Sequence, residues 1–274
     1  MHRGMMLAAA LGVMSMLAAC AVPLEGRVVM GSSGTLFGAQ ASSWVRLDTR
    51  GAVQEVGVTL PMAGVAAAPV PGASDAPPAE ANAVAMIMAN GPTLRLEFPA
   101  VVKDTTFLDH LDLYWEAFGH PPERYLTPHF DLHFFGVTSA AVDRIDCKNL
   151  TPPDLALTPA GFAPAVPPGA DPAAICVPLM GFHGFALSEF SGPGKFRPGL
   201  FDHTLISGFY NNAYLFTEPM VTRAFMMSKQ GFSGAVSRPQ TVGRSTRYPT
   251  QMTMTYDERA DAYQLVYSGF EQGL

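Results

Sequence analysis

One short stretch of this chain carries most of the side chains that could do chemistry, and polar and apolar residues alternate in it. His129, Asp131 and His133 lie two positions apart, with an aromatic or aliphatic residue between them. Successive side chains of a β-strand point to opposite faces, so the pattern predicts a strand with one polar and one apolar face. Imidazole and carboxylate groups bind divalent transition metals, which makes the polar face a candidate metal site.

The geometry of a strand limits which of these residues could share one ion. Residues two apart on one face are separated by about 6.7 Å and residues four apart by about 13 Å. With metal–ligand bonds of about 2.1 Å, one ion could bind Asp131 with either histidine, but both histidines only if the strand bulges. Further ligands would come from other parts of the chain. The candidates are His120 after Gly119, His183 in Gly181-Phe182-His183-Gly184, and Glu218 after an apolar run.

A helix is the competing interpretation of the central stretch. A helix with Pro128 in its first turn would make His129 and His133 an i, i+4 pair, as in zinc-protease helices. The dense aromatic residues and the early Gly136 favour the strand. The zinc-protease motif also requires Glu directly after the first histidine, where this chain has Phe130.

The set of six residues predicts one divalent metal, with zinc first and copper, iron or manganese as alternatives. In the competing interpretation each histidine forms hydrogen bonds within a polar core, and Glu218 is a surface acid before a turn at Pro219. Methionine pairs such as Met86 and Met88 suggest copper handling. Methionines at alternating positions of strands more often fill a core.

Composition and motifs exclude several classes of function. The 274 residues include 17 Lys and Arg against 23 Asp and Glu, so the surface is acidic and no basic cluster offers a nucleic-acid contact. The chain has neither the Gly-x-Ser-x-Gly elbow of serine hydrolases nor a Gly-rich phosphate loop. We therefore expect no nucleic-acid partner, no serine-hydrolase activity and no nucleotide site.

The N-terminal segment is typical of an exported lipoprotein. Residues 1–19 contain one cation, Arg3, then an apolar run that ends in Leu-Ala-Ala directly before Cys20. This predicts a signal peptide over 1–19, lipidation of Cys20 and a tether over 20–25, so the membrane is a partner through the lipid. The residues after the anchor are Ala21 and Val22, with no Asp near it, which indicates the outer membrane, facing the periplasm, in a Gram-negative cell. An ordinary secretory signal or a short membrane helix is the alternative.

The other two cysteines, Cys147 and Cys176, form an even pair. In an oxidising compartment such a pair is more often a disulfide than two free thiols. We therefore predict a Cys147–Cys176 disulfide, which would close a loop rich in proline.

Most of the remaining chain shows strand patterns, in which short alternating apolar runs are separated by glycine and polar turns. Strands are predicted at 28–30, 35–37, 44–48, 56–60, 84–88, 94–98, 110–116, 129–135, 208–210, 214–220, 222–226, 252–256 and 263–267. Asp112, Tyr114 and Glu116 alternate in one of these strands, and we expect them on a solvent-exposed face.

The predicted fold is therefore mainly β, with antiparallel sheets in a sandwich or barrel-like arrangement and few short helices. The clearest helix pattern covers 139–146. Long loops rich in Pro and Ala are predicted at 62–83 and 151–173. We expect one β-rich domain over 26–274.

Five short motifs are spread along this domain. They are Gly119-His120-Pro121-Pro122, the run from Pro128 to Phe134, Gly181-Phe182-His183, Glu218-Pro219-Met220 and Tyr248-Pro249-Thr250. Together they resemble a family of exported bacterial proteins with a domain of unknown function, over about residues 26–270. That family tends to have Trp-Asn-Pro before Gly-His, where this chain has Trp115-Glu116-Ala117-Phe118. The resemblance implies a mainly β fold and an envelope or secreted setting, and it implies no particular reaction.

Two functions of different class fit these residues. In the first, an envelope lipoprotein binds metal in a noncatalytic role, and the histidine strand stabilises the fold or a homo-oligomer. In the second, the metal activates water in a hydrolase or lyase for a small periplasmic substrate, and Asp131 or Glu218 moves protons. Catalytic sites keep an open coordination position and structural sites close it, so the ligand count distinguishes the two. The sequence slightly favours the noncatalytic role.

Replacing the anchor residue tests the lipoprotein prediction. Cys20→Ser removes the thiol that would carry the lipid, so we expect an unlipidated precursor that keeps residues 1–19. Mass spectrometry of the intact protein, with wild type as the control, measures both the mass of the lipid and the cleavage. Normal processing and acylation of the variant would contradict the prediction.

Overall fold

The computed structural model describes residues 26–272, so the predicted signal peptide, Cys20 and the tether lie outside the described residues. Its strands are β1 (Arg27–Leu36), β2 (Ala39–Leu47), β3 (Val53–Pro61), β4 (Leu94–Glu97), β5 (His110–Glu116), β6 (His129–Phe135), β7 (Phe182–Phe185), β8 (Phe190–Gly192), β9 (Lys195–Phe196), β10 (His203–Tyr210), β11 (Ala213–Thr222), β12 (Phe232–Ala235), β13 (Arg247–Tyr248), β14 (Gln251–Asp257), β15 (Ala262–Ser268) and β16 (Glu271–Gln272). Its helices are α1 (Met62–Ala67), α2 (Glu80–Asn90), α3 (Ala100–Thr105), α4 (Ser139–Val142), α5 (Pro172–Ile175) and α6 (Arg223–Met227). No helix within residues 26–272 is long and apolar enough to cross a membrane.

Two six-stranded antiparallel sheets make up the architecture, which confirms the mainly β prediction. The first sheet has the order β1-β2-β3-β15-β14-β12, and the second has the order β4-β5-β6-β11-β10-β7. Short strand pairs, β13 with β16 and β8 with β9, accompany them. Two-residue turns fix the register of two hairpins. In the turn between β10 and β11 both Asn211 and Asn212 have positive φ, at 50° and 54°, as tight hairpin turns require.

The apolar faces of the two sheets form one core. It contains Val45, Val56, Val58, Leu265, Leu111, Leu113, Phe130, Leu132 and Phe134, all at most 1% exposed. Phe134 of β6 contacts Tyr267 of β15 edge to face, with ring centroids 4.7 Å apart, and so joins the sheets directly. Burying each such side chain contributes about 1.5–3 kcal/mol, so the apolar half of the central stretch stabilises the sandwich.

The opposite face of the second sheet is also covered. Two small apolar clusters lie over it, one including Tyr114, Phe135 and Phe216, the other including Tyr125 and Met220. Strand β6 is therefore buried along its whole length on both faces. The expectation of a solvent-exposed face at 110–116 is wrong for Asp112 and Tyr114, which are 0% and 3% exposed because of these clusters.

Three predicted strand or loop segments are helical instead. Residues 84–88 lie in α2, because an Ala-rich segment has high helix propensity. Met86 and Met88 are exposed there, and Ile87 is partly buried against the cluster that includes Tyr114. Residues 223–226 belong to α6, which begins after Thr222, the last residue of β11, whose side chain accepts a hydrogen bond from the Phe225 N–H at 3.1 Å. The predicted loop 62–83 starts with α1, whose Val65 is buried in the core.

The length of one helix and the conformation at Pro219 also differ from the sequence prediction. The helix at 139–146 is present but shorter, as α4. Pro219 does not form a turn, since β11 continues through it and pairs it with Leu205 of β10. A proline has no N–H to donate, and the pairing of β11 with β6 is interrupted between Thr217 and Met220.

The predicted disulfide is present. Cys147 and Cys176 are bonded, with Cα atoms 5.9 Å apart, and the bond ties the segment after α4 to the end of α5. The enclosed segment is mostly irregular, as expected for 151–173, apart from a 3-10 turn at Leu155–Leu157 and the start of α5.

Replacing both Cys147 and Cys176 by serine should lower the free energy of unfolding by about 3–4 kcal/mol. The bond spans 29 residues, and cross-linking a loop of that length removes chain entropy from the unfolded state. Urea unfolding of the oxidised wild type and the variant measures the loss, and reduced wild type is the control. A variant as stable as oxidised wild type would contradict the prediction.

Candidate metal centre

All six predicted site residues lie on or beside the outward face of the second sheet. Strand β6 supplies three of them, β7 and β11 supply His183 and Glu218, and the loop after β5 supplies His120. They form two groups, in each of which one potential ligand atom per residue lies within 4.8 Å of the others. We call His120, His129 and Asp131 the first triad, and His133, His183 and Glu218 the second triad.

The regular geometry of β6 explains why there are two groups rather than one. Residues 129–135 pair continuously with β5 without a bulge, so His129 and His133 stay about 13 Å apart and cannot bind one ion together. Each histidine instead meets partners from another element. The sequence indicated the six residues, but it expected one pocket where the structure has two adjacent triads.

Backbone carbonyls orient both imidazoles of the first triad. His129 Nδ1 lies 2.7 Å from the carbonyl oxygen of Thr127, and His120 Nδ1 lies 2.8 Å from that of Pro121. A carbonyl only accepts, so each Nδ1 carries a proton, and Nε2 is the atom that would present a lone pair to a metal once it has lost its own proton. Metal-binding histidines are commonly oriented by such a bond on the other nitrogen.

Both Nε2 atoms point at one carboxylate. His129 Nε2 is 3.1 Å from Asp131 Oδ1, and His120 Nε2 is 3.3 Å from Asp131 Oδ2. Despite that distance, His129 Nε2 and Asp131 Oδ1 are buried without a well-oriented hydrogen bond. Ligands of one tetrahedral zinc lie about 3.4 Å apart, so a cation between these atoms would satisfy all of them.

A tight turn holds His120 over the strand. The Gly119 N–H donates to the Glu116 carbonyl at 3.1 Å, and Gly119 has a φ of 70°. A Cβ at this glycine would lie 2.1 Å from the Tyr125 carbonyl oxygen, so no other residue fits. The His120 and His129 rings then meet edge to face, with centroids 4.9 Å apart.

The second triad faces across strands β6, β11 and β7. His133 Nε2 is 3.5 Å from Glu218 Oε1, and His183 Nε2 is 3.9 Å from Glu218 Oε2. Both ring nitrogens of His133 and Oε2 of Glu218 are buried without a hydrogen-bond partner in the described chain. Gly208 lies between His183 and Phe216 in the sheet, and a Cβ there would collide with the Phe216 ring at 2.0 Å.

Burial and charge act differently on the two triads. Burial opposes a charge on His120, but the adjacent carboxylate of Asp131 outweighs it and raises the pKa of His120 to about 9. Burial likewise opposes ionisation of Asp131, yet His129 and His120 hold its pKa below the usual range. The metal-free first triad therefore pairs an ionised Asp131 with a protonated His120.

The second triad favours neutral groups. Burial lowers the pKa of His133 to about 4 and that of His183 to about 3. Burial also raises the pKa of Glu218 well above its usual range, and the charges of Asp131 and Glu116 add to this. Neutral imidazoles keep lone pairs for a metal, and a bound ion would displace the carboxyl proton.

The polar face extends beyond the six residues to Asp112, His110 and Glu116 of β5. The sequence analysis did not assign these three to the site. Asp112 binds Arg95 through both carboxylate oxygens, at 2.6 and 2.7 Å, and buried His110 lies 3.0 Å from Asp109. Glu116 lies beside the first triad, where burial and the charge of Asp131 raise its pKa while the two histidines oppose the rise. The alternation of 110–116 against 129–135 was the available signal.

Two cavities of the described chain lie away from both triads. One is lined by Thr158, Arg238 and Gln240, and the other by Leu187 and Phe190. Neither includes a triad residue.

No protein-family model, curated protein or solved structure matches this chain.

In chelator-treated protein, the ring of His133 should stay neutral at pH 5.5. Its pKa of about 4 lies below the value of about 6.5 in an unfolded chain, so this group contributes full stability above about pH 6.5 and less as the pH falls toward 4. NMR titration of the imidazole signals measures this, with the urea-unfolded chain as control. A midpoint near 6.5 in the folded protein would contradict the assignment.

Proposed function

We propose that this chain is an envelope lipoprotein that binds divalent metal through the two triads in a noncatalytic role, as a binding or structural protein. The observation that carries the proposal is the convergence of His120 Nε2 and His129 Nε2 on the Asp131 carboxylate, with both rings oriented by backbone carbonyls. In the metal-free protein a proton on His120 pairs with the Asp131 carboxylate, and a divalent cation bound between these atoms would displace that proton.

Zinc is the metal that this donor set supports first. Each triad offers two imidazoles and one carboxylate, a combination that binds zinc and also iron in protein sites. Copper and manganese are alternatives. The second triad supports the same class of ion, because buried lone pairs of His133 lie beside Glu218.

The noncatalytic role is supported by the surroundings of the triads. Four of the six triad residues, His129, Asp131, His133 and Glu218, are at most 4% exposed, which leaves little room beside an ion. A hydrolase or lyase remains the second candidate, because three protein ligands leave a coordination position for water. Such an enzyme would also need room for a substrate beside the ion.

The envelope setting of the proposal comes from the sequence. The Leu-Ala-Ala-Cys ending at Cys20 supports a lipid anchor in the outer membrane, and the disulfide suits an oxidising compartment. The mainly β fold agrees with the family of exported proteins that the five motifs resemble.

Metal analysis of the purified full-length chain tests the proposal, with up to one zinc ion expected per triad. Asp131→Asn and Glu218→Gln should each lose one equivalent, while Glu258→Gln, an exposed control, loses none. Metal removal should also lower the melting temperature, because an ion at 100 times its Kd stabilises the native state by about 2.7 kcal/mol. Wild type that binds no divalent metal would contradict the proposal.

A further inference from the structure

The first triad has an additional carboxylate beside it that the three-ligand description leaves out. Glu116 ends β5 and lies directly opposite His129 in the antiparallel register, while Tyr114 lies opposite Asp131. Side chains directly opposite have Cβ atoms about 4.5–5.5 Å apart, and diagonal neighbours about 7–8 Å. Glu116 therefore faces His129 and lies diagonal to Asp131 on the same side of the sheet.

Strand β5 places one carboxylate opposite each histidine of β6, and the two carboxylates differ in their partners. Asp112, opposite His133, is held by both nitrogens of the Arg95 fork. Glu116, opposite His129, forms no side-chain hydrogen bond or ion pair with any residue between 26 and 272, although it is half-buried. Arginine thus neutralises the carboxylate next to the second triad, whereas the groups beside Glu116 are the imidazoles of the first triad.

The first triad brings two carboxylates, Asp131 and Glu116, to the same pair of imidazoles. Asp131 and Glu116 are two carboxylates that no Lys or Arg of the described chain contacts, and His129 Nε2 beside them is fully buried without a hydrogen bond. A four-coordinate site of two imidazoles and two carboxylates would balance a 2+ ion. The Glu116 carboxylate lies outside the 4.8 Å group, so its flexible side chain would rotate to reach the ion.

We propose that Glu116 is the fourth ligand of the first triad, so that this site is closed and structural, while the second triad, with three ligands, keeps an open position. This inference rests on the proposed function. The turn from Glu116 to Gly119 supports it, because its 3.1 Å hydrogen bond brings His120 back beside Glu116. Structural zinc sites have four protein ligands, and sites with three take water or an exogenous ligand.

Cobalt(II) is the probe for the test, added to the full-length chain in mild detergent after chelator treatment. Four-coordinate cobalt(II) absorbs visible light far more strongly than six-coordinate cobalt(II), so the spectrum reports coordination. Glu218→Gln disables the second triad and isolates the first. We expect strong four-coordinate absorption from this variant, and a six-coordinate spectrum would overturn the proposal.

Adding Glu116→Gln to that variant would exchange a carboxylate ligand for water, so it should shift the cobalt absorption bands and weaken cobalt affinity at least about 10-fold, since even residues that only orient ligands change affinity 10–100-fold. Glu258→Gln in the same background is the matched control and should change neither. An unchanged spectrum and affinity would overturn the proposal and assign the fourth position to water.

Two further outcomes separate this inference from the proposed function. Wild type that binds no cobalt, zinc or copper contradicts the proposed function itself, whereas cobalt binding that is insensitive to residue 116 contradicts only the role of Glu116. Should Glu116→Gln fail to fold, Glu116→Asp supplies the comparison because it keeps the carboxylate on a shorter side chain. A shifted spectrum then supports the proposal, and an unchanged one overturns it.

Discussion

The burial of strand β6 on both faces is the constraint on which the rest of the site depends. One face holds Phe130, Leu132 and Phe134 in the core of the sandwich, and the other lies under two small apolar clusters. Polar groups that cannot reach water must be satisfied by each other or by an ion, because an unpaired buried group costs on the order of 1–3 kcal/mol. The alternation of β6 thus commits its polar residues to partners from β5, β7, β11 and the His120 loop.

The same constraint explains how far the sequence could predict the molecule. A period of two is a local property, so the central strand, the mainly β class and the closing hairpin of β14 and β15 could be predicted from neighbouring residues. The segment at 84–88 shows the limit of that approach. Its alternating methionines satisfy the strand pattern, but only the tertiary structure shows that both of them are exposed.

For the site, too, the sequence could predict the local properties but not the long-range ones. The identity of the six residues came from their type and spacing, and the separation of His129 from His133 followed from the rise of a strand. Their division into two triads depends on which strand lies beside β6, and that is a long-range property. Burial of Asp112 depends on Arg95 from β4 and on the covering clusters, so the sequence alone suggested a face in contact with water.

The two triads also differ in the length of chain that their ligands span, and this affects the order in which they assemble. The first triad is contained within roughly a dozen residues, whereas the second waits for β7 and β11, up to roughly 85 residues further on, and the loop-closure entropy differs by about 2 kcal/mol. Because β5 and β6 with their connecting loop complete the first triad, it can form as soon as that hairpin exists. An ion captured there would hold the hairpin together while the remaining strands add to it, so metal availability would influence the rate of folding as well as the final stability.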